Sequence, residues 1–325
     1  MLKRESDCCS GCTWVEAAHW ARLLQAKRFP FTFLGTWMGS TRSVSNLILG
    51  VFPGVYNPKL ANGHDWLPRP ETCWKSLTAD GQSGLIEPFA KAGMCEVASN
   101  MTVKKYRFGK DQEKGDGDDR PRELVVLIPE VLDPRYGMYV WPCAVVLAQY
   151  IWFHRRLLFG KRILEIGAGV SLPGIVAAKC GAEVILSDNA DFSECLDNCR
   201  RSCQMNNLSG IRVIGLTWGH VSPCLLSLAP VDFILGADVL FEPEDFEDVV
   251  STVHYLTERN THAQFWTTYQ VRSANWSIEG LLYKWEMEST HVPLQSFEAT
   301  KEQLAGSSLP GMHTIQMMVI SRKKK

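Results

Sequence analysis

The chain has 325 residues and sets 34 Lys plus Arg against 35 Asp plus Glu, so it carries no net basic field of the kind that draws a protein onto nucleic acid. Its 11 cysteines follow no secretory leader, because Met1-Leu2-Lys3-Arg4-Glu5-Ser6-Asp7 runs into no apolar core; reduced thiols are expected, and the sequons at Asn100, Asn207 and Asn275 are expected to go unused. The apolar stretch 31–52 is broken by Arg42 and several polar residues, which argues against a membrane span.

Taken in chain order, residues 1–101 scatter Trp, Gly and Pro with no sustained period and read as an irregular or disordered N-terminal extension. Cys8, Cys9 and Cys12 resemble half of a zinc knuckle, but no second cysteine pair or His-x-x-His follows, so no metal is expected. Residues 102–325 read as one catalytic domain. In it, Lys110 to Arg122, dense in Gly, Asp, Glu and Lys, is expected to be a flexible loop, with β character resuming over 123–128. Residues 139–156 are apolar at helical spacing, as at Val146, Tyr150 and Phe153, and predict a helix packed across a sheet.

Arg162-Ile163-Leu164 then ends a buried strand, Leu172 to Cys180 is an apolar helix stopped by Gly181, and Leu164 to Gly174 joins the two through a glycine turn. Glycines at such a bend let the backbone approach a ligand that a Cβ would push away. Glu165, just ahead of the first glycine, is a poor neighbour for a pyrophosphate and a good one for a cofactor with a cationic group. Asp188 ends the next apolar run, nineteen residues after Gly169, where an acidic residue hydrogen-bonds ribose hydroxyls. S-adenosylmethionine, with a ribose, an adenine, a sulfonium and no phosphate, suits both. One departure is Ser171, where many such loops carry a third early glycine; Gly174 arrives late.

Further on, 191–207 reads as a second crossover helix, with Cys195, Cys199 and Cys203 forming a buried thiol-lined face. The apolar strand 231–235 leads to Asp238, and a charge directly after a buried strand is expensive unless paired or functional. Glu242 and Glu244 follow, and two nearby carboxylates can grip a guanidinium bidentately. A helix is expected over 244–260, and the acid run Glu242, Glu244, Asp245, Glu247 and Asp248 also suits a solvated helix start. After the strand 264–268 come Tyr269 and Arg272, the latter open to pairing with a nearby carboxylate. A last strand is expected at 315–321, ahead of the solvated basic tail from Arg322 to Lys325.

Alternating strands and helices imply an α/β domain with a mostly parallel sheet covered on both faces. Five motifs in order sharpen this: Tyr136-Gly137-Met138-Tyr139-Val140-Trp141-Pro142, the Leu164 to Gly174 loop, Leu216-Thr217-Trp218-Gly219, Ala237 to Phe246, and Thr268 to Ser273. From about Lys104 onward the chain resembles the seven-β-strand, class I methyltransferases grouped with the small protein-lysine methyltransferases. The resemblance implies a Rossmann-like seven-stranded sheet and S-adenosyl-L-methionine as cofactor. It places Glu165, Gly167, Ala168 and Gly169 under the methionine and ribose, Asp188 on the ribose hydroxyls and Trp218 against the adenine. Trp141 and Ala237 would close and line the pocket, and Tyr269 would border the substrate side.

Methyl transfer asks the protein mainly to bring a nucleophilic nitrogen in line with the methyl group and to let its proton leave. Asp238, Glu242, Glu244 and Tyr269 are therefore the expected catalytic residues. The branch of the grouping that the chain resembles most acts on histone arginine, and by that resemblance the implied partner is a protein substrate, histone in kind, in nucleus and cytoplasm. Most of the grouping acts on lysine, and the two-glutamate insertion of other arginine methyltransferases has no clear match here. Two alternatives remain open: a protein-lysine methyltransferase, and a cofactor-fold binding module serving a chaperone or transcription partner. RNA as substrate fits less well, since no basic channel with aromatic platforms is visible.

Overall fold

The computed structural model describes residues 101–109, 123–133, 136–273 and 276–324. Expectations for residues 1–100, including the Cys8, Cys9 and Cys12 group, the 31–52 stretch and Asn100, lie outside the described residues, as do those for 110–122 and Asn275. No helix among the described residues is long and apolar enough to cross a membrane.

The first two strands, β1 (Met101–Gly109) and β2 (Glu123–Val131), pair with each other antiparallel and stand apart from the main sheet. Tyr106, Phe108, Val126 and Ile128 are buried, and the Leu127 backbone exchanges two hydrogen bonds with the Asn206 amide, at 3.1 and 2.6 Å. The next helix, α1 (Pro142–Phe153), starts three residues later than expected from Tyr139 and is buried at every position from Pro142 to Trp152. Proline explains the late start: it fixes the first helical turn and holds the preceding residue extended, and Trp141 has φ −85 and ψ 151.

From there strands and helices alternate: β3 (Arg162–Glu165), α2 (Leu172–Lys179), β4 (Glu183–Asp188), α3 (Ser193–Met205), β5 (Arg212–Gly215), α4 (Pro223–Ser227), β6 (Phe233–Ala237), α5 (Phe246–Arg259) and β7 (Gln264–Gln270). A short α6 (Glu279–Lys284), β8 (Met287–Val292) and β9 (Ile315–Arg322) complete the chain. The sheet has seven strands in the order β5-β4-β3-β6-β7-β9-β8. Its first five strands are parallel, and β9 lies antiparallel between β7 and β8. This is the expected Rossmann-like, mostly parallel α/β sheet. Ile163 and Leu164 of β3 and the central five residues of β7 are buried, as strands covered on both faces require.

Boundaries shift in ways the local chemistry explains. The strand expected at 231–235 lies at Phe233–Ala237, because Asp232 turns its carboxylate to the Arg162 N–H (2.9 Å) and the ladder to β3 opens at Phe233. The helix expected from Glu244 begins at Phe246, since Pro243–Asp245 form a tighter 3-10 turn. α3 starts at Ser193 rather than 191, with the Asp191 N–H bound locally to Asn189 Oδ1 (2.9 Å), and it ends before Asn207, which turns left-handed at φ +59.

Candidate active site

The strand order reverses between β3 and β6. From β3 the sheet grows through β4 to β5 on one side, and through β6 to β7 on the other. The carboxyl ends of those two strands open the crevice where open α/β sheets bind ligands. One wall is the loop after β3, and the other is the turn after β6.

The loop is held by its backbone. Ile166 N–H donates to Leu235 O (2.9 Å), Ala168 N–H to Ser187 O (2.9 Å) and Ser171 N–H to Ala168 O (2.6 Å). Gly167 and Gly169 have φ of +57 and +51, the left-handed region that glycine enters at no steric cost. Ser171 shares that conformation at φ +64, fully buried, in the place where a third glycine is usual. A Cβ on Gly167 would lie 2.8 Å from Trp218 Cζ2 and 3.0 Å from Val239 Cγ1, so the Trp218 ring lies directly against the loop. On its other side Gly169 faces Gly137, backbone to backbone, with 3.4 Å between a would-be Cβ and the Gly137 Cα.

Two carboxylates support the loop. Glu165 is 1% exposed, and its Oε2 accepts the Gly174 N–H at 3.0 Å, so it sits under the first turn of α2 rather than at the open crevice. Burial pushes its carboxyl well above the usual range, the Gly174 N–H opposes that, and the nearby Asp188 charge adds to it. Asp188 accepts the Gly169 N–H (2.7 Å) through one oxygen and the Asn189 N–H (2.8 Å) through the other. Burial raises its pKa against those two bonds. Each of its oxygens keeps a second lone pair for a ribose hydroxyl.

Aromatic rings frame the mouth. Tyr139, Trp141, Tyr136, Phe241 and Trp218 follow one another with centroids 5.1, 5.9, 5.3 and 6.5 Å apart. Trp141 caps α1 and donates its indole N–H to Tyr136 O at 2.8 Å. Of these rings, Tyr136, Tyr139 and Phe241 lay inside the quoted motifs without being singled out as site residues.

On the β6 side, Ala237 ends the strand and pairs with Thr268, and Asp238 is the next residue. Asp238 is left-handed at φ +57, and its N–H donates to Thr268 O at 2.8 Å. Its carboxylate takes a fork of two bonds from Arg272, Nη1 to Oδ1 at 2.9 Å and Nη2 to Oδ2 at 2.6 Å, and a third from the Gln270 N–H at 3.2 Å. The Arg272 pairing left open by sequence is therefore made, and with Asp238 itself. Tyr269 is buried next to this pair; burial raises its pKa, while the Arg272 charge and backbone oppose the rise. Glu242 and Glu244 are exposed, at and just inside the 3-10 turn that precedes α5. His313, which sequence alone did not mark, stands beyond the β7–β9 ladder, in a stretch tied by Val271 N–H to Thr314 O (2.9 Å). Burial lowers its pKa, and the Asp238 charge works the other way. The three α3 cysteines are buried as expected, and Cys199 Sγ–H donates to Gly169 O at 3.2 Å. No group of three or more His, Cys, Asp or Glu among the described residues could hold a metal ion.

S-adenosylmethionine fits these residues. The Leu164 to Gly174 loop offers close backbone and no lysine or arginine, Asp188 offers acceptors, and the rings at the mouth offer a face for a purine. A seven-stranded sheet of this order, with a glycine loop after β3 and an acidic residue ending β4, defines a class I S-adenosylmethionine-dependent methyltransferase. A family model described as lysine methyltransferase matches residues 123–278. The histone-arginine methyltransferase METTL23 of Mus musculus is 60% identical over 230 residues, 71% of this chain and 90% of that protein. Its Homo sapiens counterpart is 66% identical over 187 residues, 58% of this chain and 98% of that protein. The protein N-lysine methyltransferase METTL21A of Danio rerio is 36% identical over 126 residues, 38% of this chain and 56% of that protein. The chain belongs to the METTL23 family, and it is an enzyme that uses S-adenosylmethionine.

Proposed function

We propose that this enzyme methylates arginine in histones, in nucleus and cytoplasm, through the crevice between β3 and β6. The observation that carries the reading is on the acceptor wall: Asp238, the first residue beyond β6, holds a guanidinium by both of its oxygens. A carboxylate shaped for that fork suits arginine better than lysine, whose ammonium is a point charge. The names of the Mus musculus and Homo sapiens relatives support the same target.

When bound, S-adenosylmethionine supplies an electrophilic methyl group. In this proposal Gly167, Ala168 and Gly169 hold it through their backbone, Asp188 takes its ribose hydroxyls, Trp218 lies along its adenine, and Trp141 and Ala237 close the pocket. Glu165 acts from below, by fixing the first turn of α2. The acceptor nitrogen is oriented by Asp238, with Tyr269 beside it and Glu242 and Glu244 on the outer rim to attract a basic substrate segment. In-line positioning in a site shielded by Trp141, Tyr136 and Phe241 is the larger part of the catalysis.

A protein-lysine methyltransferase is the second reading, favoured by the description of the matching family model and by METTL21A. A binding module for a chaperone or transcription partner is the third. Full-length protein incubated with methyl-labelled cofactor and core histones, followed by complete hydrolysis and mass spectrometry, separates them. Methylarginine is the expected product. Methyllysine would move the enzyme to the lysine group, and cofactor binding without transfer would favour the binding module.

A further inference from the structure

We propose that Arg272 occupies, in the resting enzyme, the position at Asp238 that a substrate guanidinium takes during turnover, so that arginine is recognised by exchange of one guanidinium for another. The inference rests on the arginine reading above and adds to it the chain's own residue that the substrate displaces.

Four observations carry it. First, the contact is already a guanidinium–carboxylate fork, with Nη1 to Oδ1 at 2.9 Å and Nη2 to Oδ2 at 2.6 Å. Second, it lies at the acceptor wall: Asp238 directly follows β6 at the switch point of the sheet, and Arg272 lies two residues beyond the end of β7 at the same edge.

Third, Asp238 is anchored without Arg272. Its N–H is bound to Thr268 O at 2.8 Å and its Oδ1 accepts the Gln270 N–H at 3.2 Å, so the sheet holds the carboxylate in place when the guanidinium leaves. The left-handed backbone at Asp238, φ +57, is a conformation a non-glycine residue keeps only when its surroundings impose it, and such residues gather at functional sites. Fourth, the two partners are unequally covered. The Asp238 side chain is 4% exposed and that of Arg272 is 26% exposed, so the arginine is the outer, water-facing member. Its further bond, Nη1 to Gln270 O, is long at 3.3 Å.

Removing Arg272 alone leaves a buried, uncompensated carboxylate, which is costly. A second fork-shaped donor removes that cost. An ammonium reaches one oxygen at a time and removes less of it. Exchange thus selects arginine on the acceptor side and keeps the carboxylate paired between turnovers. An internal competitor that fills a site about nine-tenths of the time weakens apparent substrate binding about tenfold.

The test uses the full chain, its R272A and R272K variants, core histones as substrate, and guanidinium and methylammonium chlorides as probes at equal, sub-denaturing concentrations. In R272A the KM for histone is expected to fall about tenfold, with guanidinium inhibiting competitively against histone and methylammonium inhibiting more weakly. A KM that is unchanged or raised, with activity restored by guanidinium, overturns the proposal and makes Arg272 a structural clamp. If R272A does not fold, R272K decides: it keeps the charge without the fork, and a smaller fall in KM in the same direction is expected, while an unchanged KM overturns the exchange. Hydrolysis of the wild-type product separates the two levels. Methyllysine defeats the arginine reading and the exchange together; methylarginine with an unchanged KM in the variants defeats the exchange alone.

Discussion

Gly174→Ala is expected to destabilise the domain by about 3 kcal/mol, at the upper end of the cost of overpacking a buried site. The added methyl would lie 2.3 Å from Glu165 Oε2 and 2.4 Å from Leu186 Cδ2. Neither can yield cheaply. Glu165 is 1% exposed and bonded to the Gly174 N–H, and Leu186 is fully buried in β4. For a domain of this size that loss lowers the melting temperature by about 10 °C. It also moves the first turn of α2, on which the glycine loop rests, so stabilisation by S-adenosylhomocysteine is expected to vanish in the same variant. Calorimetry with and without that ligand reads both effects. Gly280→Ala is the control. Gly280 lies in α6 with nothing within 4 Å of a would-be Cβ, and alanine there should leave the melting temperature unchanged or raise it slightly. Equal behaviour of the two variants would show that the packing of α2 on β3 and β4 is not tight at Gly174.

Asp238→Ala and Asp238→Asn are both expected to abolish methyl transfer, but to differ in stability. Either change strips Arg272 of its carboxylate and leaves the Arg272 charge partly buried, at a cost of about 3 kcal/mol for the loss of one partner of such a pair. Alanine adds a backbone cost of about 1 kcal/mol, because the position is left-handed at φ +57, where asparagine is tolerated far better. Denaturant midpoints should therefore rank wild type above Asn above Ala, while neither variant transfers methyl groups at a measurable rate. Retained activity in Asp238→Asn would remove Asp238 from the acceptor site, and equal midpoints for the two variants would contradict the backbone argument.

Much of this architecture was legible in the sequence because buried parallel strands and glycine turns leave strong marks. Ile163 and Leu164 before the loop, Gly181 after α2 and Asp188 at the end of β4 are each where the pattern put them. What the pattern missed has physical causes. β5 has only four residues, and β8, at the sheet edge, is exposed or half-buried at all but one position, so its polar sequence carries no apolar run. The β1–β2 ribbon reads as strand but its sequence gives no sign that it stands outside the main sheet. At the site, spacing located the carboxylates but not their partners. A Cβ at position 174 would lie 2.3 Å from Glu165 Oε2 and 2.4 Å from Leu186 Cδ2, which explains why a glycine sits late in the loop, and the Asp238 bond to Arg272 spans 34 positions of sequence, beyond the reach of any local signal.

The crevice at the ends of β3 and β6 is expected to bind S-adenosylmethionine through the loop and Asp188. Calorimetric titration of S-adenosylhomocysteine into the full chain and into Asp188→Ala tests it most directly. One equivalent is expected to bind the wild type. Loss of the carboxylate removes charge-assisted bonds to the ribose and frees the Gly169 N–H, which should weaken binding about 100-fold or more. Equal affinity in the two proteins, or no binding to the wild type, would contradict the account.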